Sequence, residues 1–222
     1  IRKGLIPRFE KRIEVIIQVA EIVLKAHQLE EIVLHRDLKP ENVILENYYY
    51  DNEDIIVKVF DFDLSWHKGA MEMSVVHGAR AQGYAAPEQT AIGKKDDITT
   101  RHTAVDAYGL GMVGYYALLD EDPKPNQHLF PNYQEEMKCK IENRFKINWK
   151  AVRRFLARTI EYATKDKQNE RIPIDNFLES FILVRDIVNR NEIPCTHPLF
   201  LEEIASRLVE NQAYEVKDFG RD

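Results

Sequence analysis

Eight residues near the beginning of the chain read His35-Arg36-Asp37-Leu38-Lys39-Pro40-Glu41-Asn42. This segment, called the 35–42 loop below, places a carboxylate, an ammonium group and a side-chain amide close together in sequence. One tight turn can aim all three groups at the same point, which is typical of a catalytic loop. A charged turn exposed to solvent is the alternative that these residues, taken alone, leave open.

The residues on either side of the 35–42 loop predict a helix before it and a hairpin after it. Apolar residues recur at three- and four-residue steps and predict a helix from about residue 7 to residue 28. Two runs rich in β-branched residues, at 43–45 and 55–60, predict short strands joined by a polar loop over 46–54. The apolar stripe of the helix consists of Ile13, Ile16, Ile17, Ala20, Val23 and Leu24.

The remainder of the chain is predicted to be helical after a long irregular segment. Residues 65–89 show no hydrophobic period and contain several glycines, and long segments of this kind inside compact domains are usually functional. Helical patterns dominate from Val105 onward, with a clear apolar stripe over 174–182 and a short final helix over 199–209. We therefore predict a mainly α fold, a helical bundle with one small β-hairpin.

The 35–42 loop resembles the catalytic loop of eukaryotic-type (Hanks-type) serine/threonine protein kinases, whose pattern is H-R-D-L-x-x-x-N. The resemblance implies that Asp37 is the base toward a substrate hydroxyl, that Lys39 neutralises phosphoryl charge, and that Asn42 binds Mg²⁺. It also implies ATP as phosphate donor, with Lys39, Asn42 and a further Asp at its binding site, and a protein as substrate. A lysine two positions after the Asp is typical of the serine/threonine branch.

A second metal ligand is expected where the second predicted strand ends and the chain reads Asp61-Phe62-Asp63. This triplet is similar to the D-F-G of the same family, whose Asp binds Mg²⁺. Asp61 and Asn42 would then supply the oxygen ligands that a hard cation prefers. Phe62 is expected to pack against His35 and so to connect the metal ligand to the 35–42 loop.

Two further motifs carry structural roles in the resemblance. Residues 83–88 read Gly-Tyr-Ala-Ala-Pro-Glu and resemble the A-P-E element that closes the activation segment of kinases. A buried Glu88 requires a cationic partner, and Arg171 stands where the family's helical-domain arginine would supply it. Asp106 falls at the start of the family's buried central helix and is expected to hold the backbone of the 35–42 loop.

Residues 109–114 read Gly-Leu-Gly-Met-Val-Gly and match the G-x-G-x-x-G phosphate-loop pattern. That pattern indicates phosphate binding only when a strand precedes it and a helix follows it. Here the motif lies inside a predicted helix, so we interpret the glycines as small residues in a closely packed helix.

The resemblance extends over about residues 8–188 and matches only the large C-terminal lobe of a kinase. We expect this lobe at 1–190 and a helical extension and tail at 191–222, to which the sequence assigns no function. The family's small N-terminal lobe, with its glycine loop and lysine–glutamate pair, has no counterpart here and is an expected partner. Ile44 would form the adenine-facing floor of the site, and we expect the chain alone to bind nucleotide poorly and to be inactive.

Three positions near the site depart from the family pattern or add to it. Asp63 replaces the usual glycine and adds a negative charge beside the expected metal site. Ala81 stands where serine/threonine kinases usually carry a threonine. Ser74 lies in the activation segment, and regulatory phosphorylation of Ser74, paired with Arg36, is a further hypothesis.

Three functions are compatible with these motifs. Phosphoryl transfer from Mg-ATP to a protein hydroxyl is favoured by the complete set of Asp37, Lys39, Asn42 and Asp61. A non-catalytic pseudokinase that binds or regulates proteins is favoured by Asp63 and Ala81, which depart from the family pattern. A small-molecule kinase of the same fold is the third, because such enzymes also carry a D-x-D near the metal site; the 83–88 element argues against it.

Composition excludes several other classes of protein. The net charge is −6, which is the wrong sign for a broad nucleic-acid-binding face. No apolar run approaches the roughly 18 residues that a membrane span requires. Cys139 and Cys195 are too few for a disulfide framework or a zinc site, which favours reduced thiols in a cytoplasmic protein. We therefore expect neither nucleic acid nor membrane among the partners.

Overall fold

Helices dominate the part of the chain that the structure describes. This computed structural model describes residues 8–48, 54–62, 65–67, 83–90, 100–123, 136, 139–140, 143, 150–191, 197–199 and 201. Its helices are α1 (Phe9–His27), α2 (Pro87–Thr90), α3 (Ala104–Leu119), α4 (Lys150–Ala163) and α5 (Ile174–Arg190). Its strands are β1 (Val33–Leu34), β2 (Val43–Glu46), β3 (Ile56–Val59) and β4 (Trp66–His67), and 3-10 turns lie at Pro40–Asn42 and Gln168–Glu170. The predicted mainly α fold with a small hairpin is confirmed.

Helix α1 contacts both α3 and α5 and forms one side of the core. The apolar stripe predicted from the sequence is buried along the helix except for Leu24, which is partly buried, and the predicted bounds of 7–28 agree with the observed ones to within two residues. Arg12 lies on the same face and is only 1% exposed. It donates to the carbonyl of Ala117 and, through two 2.9 Å bonds, to both carboxylate oxygens of Asp120 just after α3. This arginine joins α1 to the end of α3.

Every residue of α3 is buried, so this helix passes through the middle of the bundle. A Cβ added at Gly109 would lie 2.9 Å from the Cβ of Leu38, and one at Gly114 would lie 2.7 Å from the Cδ1 of Ile160. A side chain larger than hydrogen would therefore require Leu38 or the end of Ile160 to shift. The interpretation of residues 109–114 as closely packed helix is confirmed.

Strands β2 and β3 form the predicted hairpin, with Val43 opposite Val59. One face of the hairpin packs on the core, while the other carries Ile44, whose side chain is 46% exposed. The pairing continues past the strand ends, since the backbone N–H of Phe60 donates to the carbonyl of Asn42 at 3.1 Å. The hairpin therefore brings the end of the 35–42 loop beside the residues that follow β3.

The prediction that residues 65–89 are irregular is wrong at both ends of the segment. Strand β4 pairs with β1 in a second antiparallel sheet, with Leu34 opposite Trp66, and α2 forms at Pro87–Thr90. Two residues of strand and one turn of helix are too short to show a hydrophobic period, so the sequence pattern did not reveal them. Residues 68–82 lie outside the described part of the chain.

Helices α4 and α5 complete the bundle. The rings of Phe177 and Phe181 lie 4.8 Å apart between buried neighbours, in the apolar stripe predicted over 174–182. Most of the predicted final helix and all of the tail beyond residue 201 lie outside the described residues, so the boundary at 190 stays a prediction. Within the ranges given above, none of the helices has the length and apolar character needed to cross a membrane.

Candidate active site

The three polar side chains of the 35–42 loop meet at the carboxylate of Asp37. The Nζ of Lys39 lies 2.5 Å from Asp37 Oδ2, and the side-chain nitrogen of Asn42 lies 3.1 Å from the same oxygen. The same nitrogen donates to the backbone carbonyl of Asp37 at 2.8 Å. The loop therefore holds the carboxylate between a cation and an amide, so the three groups lie close together, as expected from the sequence.

Alternation between buried and partly exposed residues gives the loop this shape. Leu38 is 3% exposed and packs against Gly109, and Pro40 is buried at the first position of a 3-10 turn. Asp37 and Lys39 alternate with them and are 13% and 18% exposed. The two apolar residues anchor the loop on α3, so the two charged side chains project to the other side.

Asp106, on α3, holds the backbone of the 35–42 loop. Its two carboxylate oxygens accept the backbone N–H groups of His35 and Arg36 at 2.8 and 2.7 Å. Arg36 has a φ of 66°, a left-handed conformation that costs a non-glycine residue about 1–2 kcal/mol. The buried carboxylate compensates for this strain, and the contact expected from the sequence is present.

His27 also contacts Asp106, and the sequence pattern did not reveal this contact. Its Nε2 lies 2.8 Å from Asp106 Oδ2, and both side chains are more than 90% buried. An ionised carboxylate only accepts hydrogen bonds, so the ring donates from Nε2. A histidine in the last turn of a helix usually contacts the helix C-terminus, which is why the pattern alone does not reveal this role.

His35 connects the 35–42 loop to the segment after β3. Its Nε2 lies 3.2 Å from the carbonyl of Phe60, and its Nδ1 lies 3.3 Å from the backbone N–H of Asp37. A carbonyl requires a donor and an N–H requires an acceptor, so these contacts select the tautomer with hydrogen on Nε2. The ring of Phe62 lies 4.5 Å from the ring of His35, as expected.

Asn42 and Asp61 present oxygen atoms of the kind that Mg²⁺ prefers. The side-chain nitrogen of Asn42 is used in both bonds to Asp37, so its amide oxygen is the atom oriented toward another partner. Asp61 is exposed, has a φ of 65°, and directly follows the residue paired with Asn42. Among the described residues no group of three or more His, Cys, Asp or Glu could hold a metal. A carboxylate and an amide oxygen nevertheless fit a cation that keeps several water ligands.

Residues 83–90 are called the closing segment below, and Glu88 in this segment forms a largely buried ion pair with Arg171. Two parallel bonds of 2.7 Å join the guanidinium to the two carboxylate oxygens. Gln168 donates a third bond to Glu88 at 2.7 Å. The guanidinium uses all five of its N–H groups, and its other three acceptors are the carbonyls of Ala104, Lys165 and Asp166.

Three tyrosines surround the junction between α3 and the closing segment. Burial raises the pKa of Tyr108 to about 12, against the opposing charge of Arg171, whose guanidinium lies 5.1 Å from the ring centre. Tyr84 donates to Asp122 at 3.0 Å, and burial together with this carboxylate raises the pKa of Tyr84. Tyr116 packs in the same cluster, and its pKa is also raised, mainly by burial.

Of the other predicted site residues, two lie in the described part of the chain and three lie outside it. Ile44 lies on the open face of the hairpin, and its role toward adenine stays a prediction. Arg36 is half-buried, and its backbone carbonyl accepts a bond from Gln89 of the closing segment. Asp63, Ser74 and Ala81 lie outside the described residues, so the hypotheses that concern them stay predictions.

The structure is a helical lobe with α3 buried at its centre. The 35–42 loop is fixed to α3 and lies beside the β2–β3 hairpin, and the polar side chains of this loop meet at the carboxylate of Asp37. A family model described as the protein kinase domain matches residues 2–183. The chain therefore belongs to the protein kinase domain family.

Curated relatives agree with this assignment. The chain is 34% identical over 94 residues to a probable serine/threonine-protein kinase of Dictyostelium discoideum, a match that covers 41% of this chain and 6% of the relative. It is 35% identical over 113 residues to calcium/calmodulin-dependent protein kinase type 1 of Macrobrachium nipponense, covering 50% of this chain and 28% of the relative. A probable L-type lectin-domain containing receptor kinase of Arabidopsis thaliana is 30% identical over 133 residues, with 58% and 17% covered. The chain thus spans less than a third of each of these relatives.

Proposed function

We propose that this chain provides the catalytic lobe of a kinase that transfers the terminal phosphoryl group of Mg-ATP to a serine or threonine hydroxyl of a protein. The observation that carries the proposal is the convergence of Lys39 and Asn42 on Asp37, with Asp61 directly after the residue whose backbone bonds to Asn42. Phosphoryl transfer depends mainly on positioning and on stabilising charge, and this arrangement supplies both.

Asp37 is suited to accept the proton of the substrate hydroxyl. Lys39 and Asn42 both donate to Oδ2, which leaves Oδ1 as the oxygen that can receive a hydroxyl hydrogen. Asn42 and the buried neighbours of the loop hold the carboxylate in one orientation. A base that is already oriented lowers the entropy cost of reaching the transition state.

Lys39 and the metal ligands are suited to balance negative charge. The ammonium of Lys39 has three N–H groups, so it can keep its bond to Asp37 and also donate to a phosphate oxygen. Asn42 and Asp61 would hold Mg²⁺, which when bound neutralises part of the charge on the phosphates. The position of Lys39 relative to Asp37 supports transfer to serine or threonine, as does the similarity to a probable serine/threonine-protein kinase of Dictyostelium discoideum.

We further propose that the open face of the hairpin requires a second lobe to complete the nucleotide site. Ile44 and Ile56 are 46% and 45% exposed on this face, and Phe60 beside it is 41% exposed. Apolar side chains of this size form the floor of a binding site more readily than a free surface. The chain alone would then bind Mg-ATP poorly, and micromolar binding measured by calorimetry on residues 1–222 would contradict this part of the proposal.

The main test is phosphate transfer from labelled ATP to peptide libraries. It uses the protein in which this chain is joined to the expected N-terminal lobe, called the full-length protein below. We expect labelling of serine or threonine peptides, no labelling by the Asp37→Asn variant, and the same circular-dichroism spectrum for both proteins. Labelling of tyrosine peptides only, or of small molecules only, would contradict the substrate assignment. Absence of transfer by a folded wild-type protein would favour the pseudokinase alternative.

A further inference from the structure

The side chain of Gln89 connects the closing segment to the 35–42 loop. Its Oε1 accepts the backbone N–H of Ala86 at 3.0 Å, while its Nε2 donates to the backbone carbonyl of Arg36 at 2.7 Å. The backbone N–H of Gln89 also donates to the carbonyl of Ala86 at 2.9 Å. One side chain thus makes a local bond within its own segment and a second bond to a loop that is distant in sequence.

The local bond belongs to the start of α2. Ala86 precedes this helix and Gln89 is its third residue, the position from which a Glu or Gln side chain reaches back to the N-cap N–H group. A glutamate makes this bond as well as a glutamine does. Only the amide of glutamine has N–H groups with which to donate to Arg36, so the second bond is specific to glutamine.

The bond to Arg36 acts on the strained peptide that precedes Asp37. Arg36 has a φ of 66°; its N–H is held by Asp106 at 2.7 Å, and its carbonyl is held by Gln89. The two sides of the residue are therefore fixed by two different helices. Rotation of the Arg36 carbonyl would turn the following peptide plane and move Asp37 with it.

We propose that Gln89 is a positioning residue that fixes the peptide between Arg36 and Asp37, so that the closing segment controls the orientation of Asp37. Its consequence for catalysis rests on the proposed kinase function. Gln89 touches neither the reacting groups nor the expected metal ligands among the described residues, so it acts through the Arg36 carbonyl.

The first test measures hydrogen exchange at the backbone amides of residues 35–37 in the full-length protein. Gln89→Glu keeps the bond to Ala86 and removes the donor to Arg36, and Gln89→Leu removes both. We expect exchange at these amides to become about five- to tenfold faster in both variants, the change expected when a single hydrogen bond is lost. Gln168→Leu, which removes a glutamine donor to Glu88 instead, is the matched control and should leave these amides unchanged. Exchange in Gln89→Glu equal to that of wild type overturns the proposal, whether or not the protein transfers phosphate.

The second test measures the kinetic effect in the same protein. Gln89→Glu should lower kcat about five- to tenfold and leave KM for ATP unchanged, because the base is displaced and the nucleotide site is not. The ratio of the wild-type kcat to the kcat of Gln89→Glu should become smaller at acidic pH, because a protonated glutamate regains an O–H donor. An unchanged kcat in an active enzyme overturns the catalytic consequence, whereas an inactive wild type contradicts only the proposed function.

Discussion

The guanidinium of Arg171 and the carboxylate of Glu88 are joined by two bonds of 2.7 Å across 83 positions of sequence. The pair fixes the closing segment to the region after α4. Because the same guanidinium also donates to three backbone carbonyls, no hydrogen of this buried cation lacks an acceptor. A buried ion pair of this kind is stable only as a complete set, since an isolated buried charge costs several kcal/mol.

Arg171→Met should therefore lower the free energy of unfolding by about 3–5 kcal/mol, because it leaves the Glu88 carboxylate buried without its cation. Urea unfolding followed by circular dichroism measures the change. Lys167→Met removes a cation from an exposed pair with Glu170 in the same region and should change the midpoint little. Equal losses in the two variants would contradict the assignment of Arg171 as a structural anchor.

Asp106→Asn should loosen the 35–42 loop while keeping the side-chain volume. The amide has one oxygen instead of two, and it turns an NH₂ group toward a backbone N–H of His35 or Arg36. We expect a loss of about 2–3 kcal/mol in stability and faster hydrogen exchange in residues 35–37. Asp175→Asn, at the exposed start of α5, is the control for loss of an acidic residue in a first helical turn. Unchanged exchange in Asp106→Asn would show that the carboxylate does not hold the loop.

Two glycines of α3 should respond differently to replacement by alanine. The new Cβ at Gly109 comes too close to the Cβ of Leu38, which is fixed to the loop backbone. The new Cβ at Gly114 comes too close to the Cδ1 end of Ile160 and makes ordinary contacts with Phe177 and Ile16. Gly109→Ala should cost about 1–3 kcal/mol and disturb the 35–42 loop, as overpacking does. Gly114→Ala should cost less, because the end of Ile160 can rotate and alanine favours helix by about 1 kcal/mol. The urea midpoints of the two variants provide the comparison, and the reverse order would contradict this account of the packing.

Tyr108 should make the fold sensitive to alkali. Burial raises its pKa to about 12, while an unfolded tyrosine titrates near 10, so the unfolded chain loses its proton first as the pH rises. Stability contributed by the neutral side chain is complete below pH 10 and is lost between about pH 10 and pH 12, by roughly 2–3 kcal/mol. The free energy of unfolding of Tyr108→Phe should therefore fall less steeply than that of wild type between about pH 10 and pH 12. Urea unfolding curves recorded at a series of pH values measure this difference. At pH 8 both proteins carry neutral rings, so any difference there reports packing alone; identical slopes above pH 10 would refute the effect.

The sequence was most informative where the structure is local. The stripe of α1 and the β-branched runs of the hairpin predicted element bounds to within a few residues, because one buried face imposes a repeating pattern. The motif in residues 35–42 likewise predicted that Asp37, Lys39 and Asn42 would be close together, while their mutual hydrogen bonds became visible only in the structure. The resemblance to kinases supplied the more distant pairs of Glu88 with Arg171 and of Asp106 with the loop.

The remaining features depend on pairs that no local pattern reveals. His27 and Asp106 are 79 positions apart, and Gln89 and Arg36 are 53 apart. Histidine and glutamine are common at helix ends for local reasons, so their distant partners appear only once the helices are packed. The sheet of β1 and β4 was missed for a related reason, since two residues per strand are too few to alternate detectably.

Asn42→Asp should test whether the amide is required for more than oxygen ligation. A carboxylate at this position keeps the oxygen atoms but removes both donors to Asp37, and it would place a second negative charge about 3 Å from Asp37 Oδ2. Like charges so close to each other repel, so we expect the base to be displaced and kcat of the full-length protein to fall roughly 100-fold or more. Asn176→Asp, on the exposed face of α5, is the matched control and should retain wild-type kcat. Because the variant keeps its oxygen ligands, added Mg²⁺ should not restore the rate; recovery at high Mg²⁺ would mean that Asn42 serves only as a metal ligand and that its bonds to Asp37 are dispensable.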